Sequence, residues 1–341
     1  MMPHPPGCPA CGSQNGLQLV EEHFDRIGEQ NYRILSCPAC DVVSSEPRLL
    51  VDAGWYVRQS PLREKTSQDP LHRPEPASDW RFQEFFSDRV PPGRLLDVGC
   101  GDGGFMEFAA SRGFRTTGFD YDQRMVLQAR TRGLDAHCAE FEDFVAGRQE
   151  GEFDALTLFD VLEHTPEPAW FLRQLKRLLK PGGHLAVTMP NAQRPIPFER
   201  EEHDYPPHHF TRWTPGALAR FLEREGFSVQ RQNAAVLHLR YLSDHIFFYR
   251  LMPGALAVAR RLLLRNAGAR QGRSISEALA ADPQGTSGGW LADKARRQRI
   301  VDAARFSFQL LAAPLTMVQR AHYRRREPDC GDCLYTLARA R

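Results

Sequence analysis

The 341-residue sequence has no uncharged apolar run that reaches the roughly 18 residues of a membrane-spanning helix. The longest candidate, 306–319, is shorter and contains Pro314. The segment MMPHPPGCPA at the start has no apolar core of the kind found in a secretory signal peptide. The net charge of +2 indicates no overall preference for a polyanion. From these absences we expect a cytoplasmic protein.

The composition is that of a soluble globular protein, with 42% hydrophobic and 25% charged residues. The length suits one large domain with accessory segments, or two domains. Charge is distributed unevenly, because residues 250–341 contain 17 Lys and Arg but only 7 Asp and Glu. This part of the chain therefore carries a charge of +10 and the rest a charge of −8.

The cysteines fall into C-x-x-C pairs at 8–11, 37–40 and 330–333, and the other two are Cys100 and Cys138. Two such pairs separated by 25 residues can close the tetrahedral thiolate site that zinc prefers, and a site with four protein ligands is structural. The segment resembles a zinc ribbon, with Cys8, Cys11, Cys37 and Cys40 as ligands. A pair of disulfides is the alternative, which a cytosolic location disfavours. Cys100 and Cys138 are typical of small core residues.

The stretch 94–105, RLLDVGCGDGGF, predicts a buried strand that runs into a glycine turn and then a helix. Glycine lets the backbone approach a ligand closely and adopt a positive φ at little cost. A helix that begins beyond such a turn presents unpaired N–H groups to a polar or anionic ligand at the carboxyl edge of a parallel sheet. Gly99, Gly101 and Gly104 also fit the G-x-G-x-x-G pattern of dinucleotide-binding folds.

Strands and helices alternate after this turn at regular spacing. A helix over about 79–90, with an apolar side of aromatic residues, precedes the first strand. The predicted strands are 94–98, one that ends at 120, 134–139, 153–160, 184–191, 227–239 and a last one near 333–341. The predicted helices between them are 103–112, 122–131, 167–180 and 215–226.

Three features distinguish the glycine turn from a dinucleotide site. Asp97 lies two positions before the first glycine, glycines alternate in GCGDGG, and the motifs FDVLEH at 159–164 and KPGGHLAVTMPN at 180–191 follow. In this order the motifs resemble the class I S-adenosylmethionine-dependent methyltransferases. The resemblance covers roughly 90–240 and 334–340. It implies an α/β fold with a Rossmann-like, seven-stranded, doubly wound sheet, to which this chain adds a small N-terminal zinc ribbon and a helical insertion before the last strand.

We accordingly predict five segments. They are a zinc ribbon at 1–57, a linker at 58–79, a core that binds S-adenosylmethionine at 80–240, a helical insertion or lid at 241–329, and the last core strand at 330–341. The helix before the first strand either covers the cofactor pocket, as it often does in the family, or only covers the sheet.

Acidic strand ends supply candidates for binding the cofactor. Asp120 ends the second strand, where doubly wound folds place an acid whose two oxygens accept both ribose hydroxyls. The resemblance implies that Tyr121 flanks the adenine, that Glu140 and Phe141 lie beside its amino group, and that Asp160 lies near the methionine moiety. For Glu140 an ordinary exposed turn acid is the alternative. The full predicted set is Asp97, Gly99, Cys100, Gly101, Gly103, Asp120, Tyr121, Glu140, Phe141 and Asp160.

Histidines are the candidates for a general base, which is required only if the methyl acceptor loses a proton. His164 follows the fourth strand and either hydrogen-bonds to the scaffold or faces the acceptor. Members of the family keep a histidine-bearing loop over the active site, and here the loop 192–214 carries His203, His208 and His209. The predicted catalytic residues are therefore His164, His208 and His209. Metal binding by the three loop histidines is the weaker alternative.

The segment from 241 to 333 interrupts the family pattern. Two basic, mostly helical stretches, 243–265 and 291–325, predict a lid or the arm of a homodimer, with peripheral contact to an anionic membrane as an alternative. Cys330 and Cys333 read as incidental turn residues, a second metal site or a redox pair.

The motif after the fourth strand bears on the substrate. It reads D-V-L-E-H rather than the N/D-P-P-Y/F of enzymes that methylate amino groups of nucleic-acid bases, and it is more like that of small-molecule O- or C-methyltransferases. We therefore predict methyl transfer to a quinone- or sugar-like small molecule. An RNA or protein methyltransferase that uses the ribbon for recognition stays open, as does a regulator that binds the cofactor without turnover. The ribbon holds more acidic than basic residues, which disfavours a nucleic-acid partner.

Overall fold

A computed structural model describes residues 7–25, 28–49, 79–194, 204–234 and 331–341, together with the isolated positions 307–308, 311–314, 317–318, 321 and 325. The chain divides into two compact units, one of residues 1–235 and 329–341 and one of residues 236–328. The described positions of the second unit are helical. The predicted stretch 243–265 lies outside the described residues, as does most of 291–325. In the described parts of the chain, no helix has the length and apolarity needed to cross a membrane.

The strands and helices whose bounds the structure describes lie in the first unit. The strands are β1 (Gln18–Asp25), β2 (Gln30–Ser36), β3 (Val43–Glu46), β4 (Arg94–Val98), β5 (Arg115–Asp120), β6 (Asp135–Cys138), β7 (Phe153–Phe159), β8 (Leu179–Pro190), β9 (Thr211–Arg212), β10 (Phe227–Ala234) and β11 (Cys333–Ala340). The helices are α1 (Trp80–Ser87), α2 (Gly104–Ala110), α3 (Gln123–Thr131), α4 (Phe141–Ala146), α5 (Pro168–Leu178) and α6 (Pro215–Arg224), with a 3₁₀ turn at Leu162–His164.

The main sheet has seven strands in the order β10-β11-β8-β7-β4-β5-β6. Strands β4 to β8 pair in parallel, whereas β11 is antiparallel to both of its neighbours, β8 and β10. The chain winds outward from β4 through β5 to β6 and then returns to the other side of β4 as β7. The strand order therefore reverses between β4 and β7, and ligands of open α/β sheets bind at the carboxyl edge beside such a reversal. The predicted Rossmann-like, doubly wound fold is confirmed.

Central strands of this sheet are apolar because helices cover both faces. Leu95 and Leu96 of β4 are fully buried on opposite faces, in two different hydrophobic clusters. Burial of such a side chain contributes about 1.5–3 kcal/mol. On one face Phe85 of α1 packs edge-on against Phe105 of α2, with ring centroids 5.4 Å apart. The helix that precedes β4 is therefore part of the core that supports the glycine turn.

Two predictions from the sequence need correction. Helix α5 ends at Leu178 rather than at residue 180, because Leu179 is already extended and pairs with Phe153 as the first residue of β8. Cys138 is exposed rather than a core residue. It ends β6, the outermost strand of the sheet on that side, where no further strand covers it.

The N-terminal segment forms a second sheet of four strands in the order β1-β2-β3-β9. The three strands of the segment are antiparallel, and β3 then pairs with β9, so that Val43 lies opposite Arg212 and Ser44 opposite Thr211. Strand β9 belongs to the loop that follows β8. The N-terminal sheet is thus completed by a strand from the region where the sequence predicts the substrate loop.

Candidate active site at the carboxyl edge of the sheet

The glycine turn between β4 and α2 is held from the neighbouring strand. The backbone N–H groups of Gly99 and Cys100 both donate to the carbonyl of Phe119, at 3.0 and 3.1 Å. Gly101 donates its N–H to Oδ2 of Asp120 at 2.9 Å. The turn requires glycine because φ is +71°, +53° and +79° at Gly99, Gly101 and Gly103. Asp120, predicted to bind ribose, therefore lies directly against the turn.

Open space lies at only one of these three glycines. A Cβ on Gly99 would come within 2.8 Å of Val161, and one on Gly103 within 2.4 Å of Leu134. A Cβ on Gly101 would meet no atom within 4 Å in the described part of the chain. Gly99 and Gly103 are thus required for packing, whereas Gly101 faces a space that a ligand can occupy. Such a cradle of bare backbone fits a bulky nucleoside ligand.

Both carboxylate oxygens of Asp120 accept backbone N–H groups. Its Oδ1 accepts the N–H of Asp122 at 2.8 Å, and its Oδ2 accepts that of Gly101. Each carboxylate oxygen has two lone pairs, so a carboxylate at this position suits ligands with O–H donors. Asp122 caps α3 by accepting from Arg124 and Met125. Tyr121, between the two acids, is 38% exposed, as expected for a side chain that lies against a ligand.

Asp97 is buried beneath the turn rather than exposed to the open space. Its Oδ1 accepts the hydroxyl of Thr157 at 2.7 Å. Burial raises the pKa of Asp97 to about 7, the Thr157 hydrogen bond and Arg81 oppose this, and the Asp120 charge adds to it. A nearby cation lowers the pKa of such a carboxyl and favours its charged form. Asp97 can therefore respond to a cationic group of the ligand while it stays in the core.

Arg81, which the sequence analysis missed, anchors α1 over the end of β7. Its Nη1 donates to Oδ2 of Asp160 at 2.7 Å, and its Nη2 donates to Oδ2 of Asp79 at 2.6 Å. Burial lowers the pKa of Arg81, but the two carboxylates outweigh burial and raise it overall. Asp160 has a φ of +57° and also accepts from the Thr188 hydroxyl at 3.0 Å. The only sequence signal was an arginine in the first turn of a helix, which is common.

The residues predicted near the adenine lie at the start of α4. Glu140 is exposed at the N-cap position of this helix without a side-chain capping bond. Phe141 is half-buried, with its ring 4.2 Å from that of Phe171. Cys100 is buried beside Gly118, and burial raises the pKa of its thiol. Cys100 therefore packs beneath the turn as a thiol, in agreement with its interpretation as a core residue.

The structure brings the predicted catalytic histidines together. Nδ1 of His164 lies 2.7 Å from the carbonyl oxygen of His208. A carbonyl oxygen only accepts, so Nδ1 carries the proton and Nε2 has the lone pair that a base requires. The rings of His164 and His209 meet edge to face with centroids 4.7 Å apart. Nδ1 of His209 also lies 3.7 Å from Oδ1 of Asp204. His203 is outside the described residues, and so is Cys330.

Glu163 is the second residue that the sequence analysis missed. It is 2% exposed, in the 3₁₀ turn directly after β7. Its carboxylate and the ring nitrogens of His164 and His209 supply ligand atoms that lie within 4.8 Å of one another. Burial raises the pKa of Glu163 well above the usual range, and the Asp160 carboxylate adds to this. The pattern EH drew attention to the histidine, although the acid before it is the more deeply buried.

The four cysteines of the N-terminal segment form one cluster. Sγ of Cys8 lies 3.5 Å from Sγ of Cys40, and Sγ of Cys11 lies 3.6 Å from Sγ of Cys37. All four sulfur atoms lie within 4.8 Å of one another. Zn–S bonds of about 2.3 Å in a tetrahedron place sulfurs about 3.8 Å apart, whereas a disulfide places them at about 2.05 Å. The donor set thus fits a zinc ion, and the four cysteines are free of disulfides.

Comparison with known proteins agrees with this geometry. A family model described as a methyltransferase domain matches residues 71–232. The chain is 35% identical over 147 residues to a ubiquinone biosynthesis O-methyltransferase of Xylella fastidiosa, which covers 41% of this chain and 55% of the relative. It is 38% identical over 132 residues to the protein of that name from Xanthomonas oryzae, covering 36% and 53%. The chain thus spans about half the length of the curated relatives it matches.

Among solved structures, a SAM-dependent methyltransferase from Archaeoglobus fulgidus aligns with a TM-score of 0.44 and 14% identity, over 76% of this chain and 91% of that one. The family match includes the glycine turn, Asp120, the motif after β7 and the loop with β9. These are the parts that the fold assembles at one edge of the sheet. Residues 71–232 of this chain therefore match a methyltransferase domain.

Proposed function

We propose that this protein transfers a methyl group from S-adenosylmethionine to a hydroxyl group of a small, quinone-like acceptor. The observation that carries the proposal is the open backbone of Gly101 beside Asp120, at the point where the strand order reverses. The turn supplies a surface without side chains, and the carboxylate supplies acceptors for the two ribose hydroxyls. S-adenosylmethionine supplies an activated methyl group on a sulfonium that also serves as the leaving group.

The residues of this chain then orient the acceptor and the methyl donor and exclude water from the site. Methyl transfer requires the acceptor oxygen, the methyl carbon and the sulfur in line, so most of the rate enhancement comes from positioning. Helix α1, anchored by Arg81 on Asp160, covers the edge on the side of β7. Nε2 of His164 is placed to accept a proton, because Nδ1 is fixed by the carbonyl of His208.

The chemistry of the acceptor rests on two supports. The relatives with 35–38% identity are named O-methyltransferases of ubiquinone biosynthesis. The histidine and carboxylate groups after β7 suit an acceptor that loses a proton, as a phenolic hydroxyl does. We therefore expect a phenol or hydroquinone as acceptor rather than a preformed anion.

The thiol cluster has a structural role in this proposal. Cys8, Cys11, Cys37 and Cys40 would hold one Zn²⁺ with no open position for a substrate, as in structural zinc sites. The metal would close the two turns that begin and end the ribbon. It takes no part in the methyl transfer.

Titration calorimetry on the zinc-loaded protein tests the cofactor assignment. S-adenosylmethionine and its demethylated product should both bind to the wild type. Asp120→Asn should weaken this binding about 10- to 100-fold, because hydrogen bonds to a charged acceptor contribute about 1.5–3 kcal/mol. The matched control is Asp143→Asn, since Asp143 is an exposed acid on α4. Heat with a nicotinamide dinucleotide but none with S-adenosylmethionine would overturn the assignment.

A further inference from the structure

The carboxyl group of Glu163 is buried against a small cavity. Both its oxygens are without a hydrogen-bond partner in the described structure. The backbone of Glu163 is held firmly, since its carbonyl accepts the N–H of Phe210 at 2.8 Å. The cavity is lined by Glu163, Asn191, Arg194, Asp204, His209 and Arg212, among others. An unpartnered buried carboxyl is costly to keep in a fold, and Glu163 is one of the residues that line the cavity.

A hydrogen-bond donor faces the same cavity. Arg212 is 9% exposed, and its Nη1 and Nε are engaged by Oε1 of Glu21 at 2.7 Å and by the carbonyl of Asp204 at 3.3 Å. Its Nη2 is buried, and no partner for it lies in the described structure. Two residues of the cavity wall thus carry groups without a hydrogen-bond partner, an acceptor on Glu163 and a donor on Arg212. A hydroxyl group matches this pair, because it donates one hydrogen bond and accepts others.

The position of the cavity connects it to the proposed reaction. Asn191 directly follows β8, and Glu163 lies four residues beyond the end of β7. The cavity is therefore at the same carboxyl edge as the glycine turn, on the other side of the strand reversal. A nucleoside bound across β4 and β5 would leave the ends of β7 and β8 to the acceptor.

Charges of both signs surround Glu163. Asp160 from the end of β7 and Asp204 from the loop before β9 are on the acidic side, and the thiol of Cys333 from β11 is also near but is kept neutral because burial raises its pKa. Arg81 from α1, together with Arg194 and Arg212 of the cavity wall, is on the basic side. His164 and His209 are adjacent and can carry a proton away. Burial raises the pKa of Glu163 the most, so its carboxylate binds a proton more strongly than a solvated one does.

We propose that this cavity is the subsite for the acceptor hydroxyl, and that Glu163 is the catalytic base that takes its proton. The proposal rests on the proposed function, because it specifies where the acceptor binds. As the acceptor oxygen bonds to the methyl carbon, the carbon–sulfur bond breaks and its electron pair stays on sulfur. The hydroxyl proton moves to the Glu163 carboxylate, which Arg212 opposes across the cavity, and leaves to solvent by way of the adjacent histidines.

Glu163→Gln tests this, with Glu225→Gln as the matched control. Glu225 is also buried but is paired with Arg173 at 2.8 Å, far along the chain at the end of α6. The first measurement is thermal unfolding at pH 8 and pH 5. Glu163→Gln should raise Tm at pH 8 by about 2 °C or more, since it removes an unpaired charge, and should change Tm little at pH 5. Glu225→Gln should lower Tm at pH 8.

The second measurement is methyl transfer from S-adenosylmethionine to catechol, hydroquinone and 3,4-dihydroxybenzoate. Glu163→Gln should bind the demethylated cofactor like the wild type but should transfer methyl about 100-fold or more slowly. Glu225→Gln should keep the wild-type rate. A Glu163→Gln variant with the wild-type rate would overturn the proposal, and so would one that is destabilised at pH 8 as much as Glu225→Gln.

Two further outcomes separate this proposal from others. If calorimetry with Mg²⁺ or Mn²⁺ showed binding to the wild type that Glu163→Gln abolishes, the cavity would be a cation site and the hydroxyl assignment would be wrong. If the wild type bound S-adenosylmethionine but methylated none of the three probes, the assignment to a phenolic acceptor would fail while the cofactor site stood. A failure of S-adenosylmethionine to bind at all would instead refute the proposed function.

Discussion

The ribbon (residues 7–49 as described) and the α/β core obtain their stability in different ways. The core buries leucine and phenylalanine from both faces of its sheet, and Leu95, Leu156 and Phe153 are fully inaccessible. The ribbon instead exposes much of its apolar surface, since Leu19, Val20 and Phe24 of β1 are 50–55% exposed. Its buried residues are few, and three of the four clustered cysteines are among them. A segment this small with this little core depends on a crosslink or on a neighbour.

The structure provides the neighbour as well as the cysteine cluster. Cys8, Cys37 and Cys40 belong to the same hydrophobic cluster as Trp213 and other residues of the core. Polar contacts join the same surfaces, because Arg224 of α6 donates to the carbonyl of Ala10 at 2.8 Å. The ribbon is therefore packed onto the core rather than tethered to it. Its contacts on the core side include the loop that carries the candidate catalytic histidines.

The largest effect should follow loss of the ribbon's thiol cluster. Cys37→Ser, or removal of metal with a chelator, should unfold the ribbon, because structural zinc contributes about 10–16 kcal/mol to the folding of isolated fingers. Since the thiols pack against core residues, Tm of the whole first unit should also fall. Circular dichroism measures the unfolding of the ribbon and the Tm, and mass spectrometry measures the metal content.

Cys138→Ser is the control for this change, because Cys138 is exposed at the far edge of the sheet. It should retain one zinc per chain and the wild-type Tm. If Cys37→Ser kept both as well, the ribbon would owe its stability to the core alone. The idea that the ribbon depends on its thiol cluster, whereas the core depends on apolar burial, would then be wrong.

The next effect should be a gain in stability within the core. Asp97 is buried beneath the glycine turn with a pKa raised from 3.8 to about 7. A carboxyl with a raised folded-state pKa stabilises the fold below pH 4, and this contribution is lost as the pH rises through 7. Asp97→Asn keeps an oxygen for the Thr157 hydroxyl and should raise the free energy of unfolding at pH 8 by about 2–4 kcal/mol. At pH 4 it should change little.

Urea denaturation at the two pH values measures this, and binding of S-adenosylmethionine should weaken in the same variant. The charge of Asp97 in the ligand site would then lower the stability of the core, whereas the thiol cluster raises the stability of the ribbon. A fall in stability at pH 8 would mean that the charge of Asp97 is compensated in the fold.

The sequence predicted the core because its signals are local. An apolar strand, a glycine turn and an acid at the next strand end follow one another within 94–120, and the structure places them together. The ends of elements were predicted less well. The proline and glycines after Lys180 suggested a loop, and the structure includes them in β8 as an irregularity, because the pairing with β7 passes from Leu179 directly to His184.

The parts that could not be predicted depend on contacts between distant segments. Strand β9 is two residues long and exists only because β3, far earlier in the chain, pairs with it. Glu163 is distinctive because the 3₁₀ turn buries it and the loop of His209 closes over it. Neither burial nor the missing hydrogen-bond partners leave a pattern in the sequence. Arg81 likewise becomes relevant only when α1 meets the end of β7.

The smallest effect should come from the junction between the two regions. Glu21 of β1 accepts from Arg212 at 2.7 Å and from the hydroxyl of Tyr205 at 3.0 Å. Glu21→Gln should cost about 1–2 kcal/mol, because it removes charge-assisted hydrogen bonds and leaves a buried guanidinium beside a neutral amide. Glu22→Gln is the matched control, since the next residue of a strand points to the opposite face and Glu22 is exposed. Urea denaturation should separate the two variants. Equal stabilities would show that the junction is held by apolar packing and by β9 alone, and that the polar contacts between ribbon and core add nothing to it.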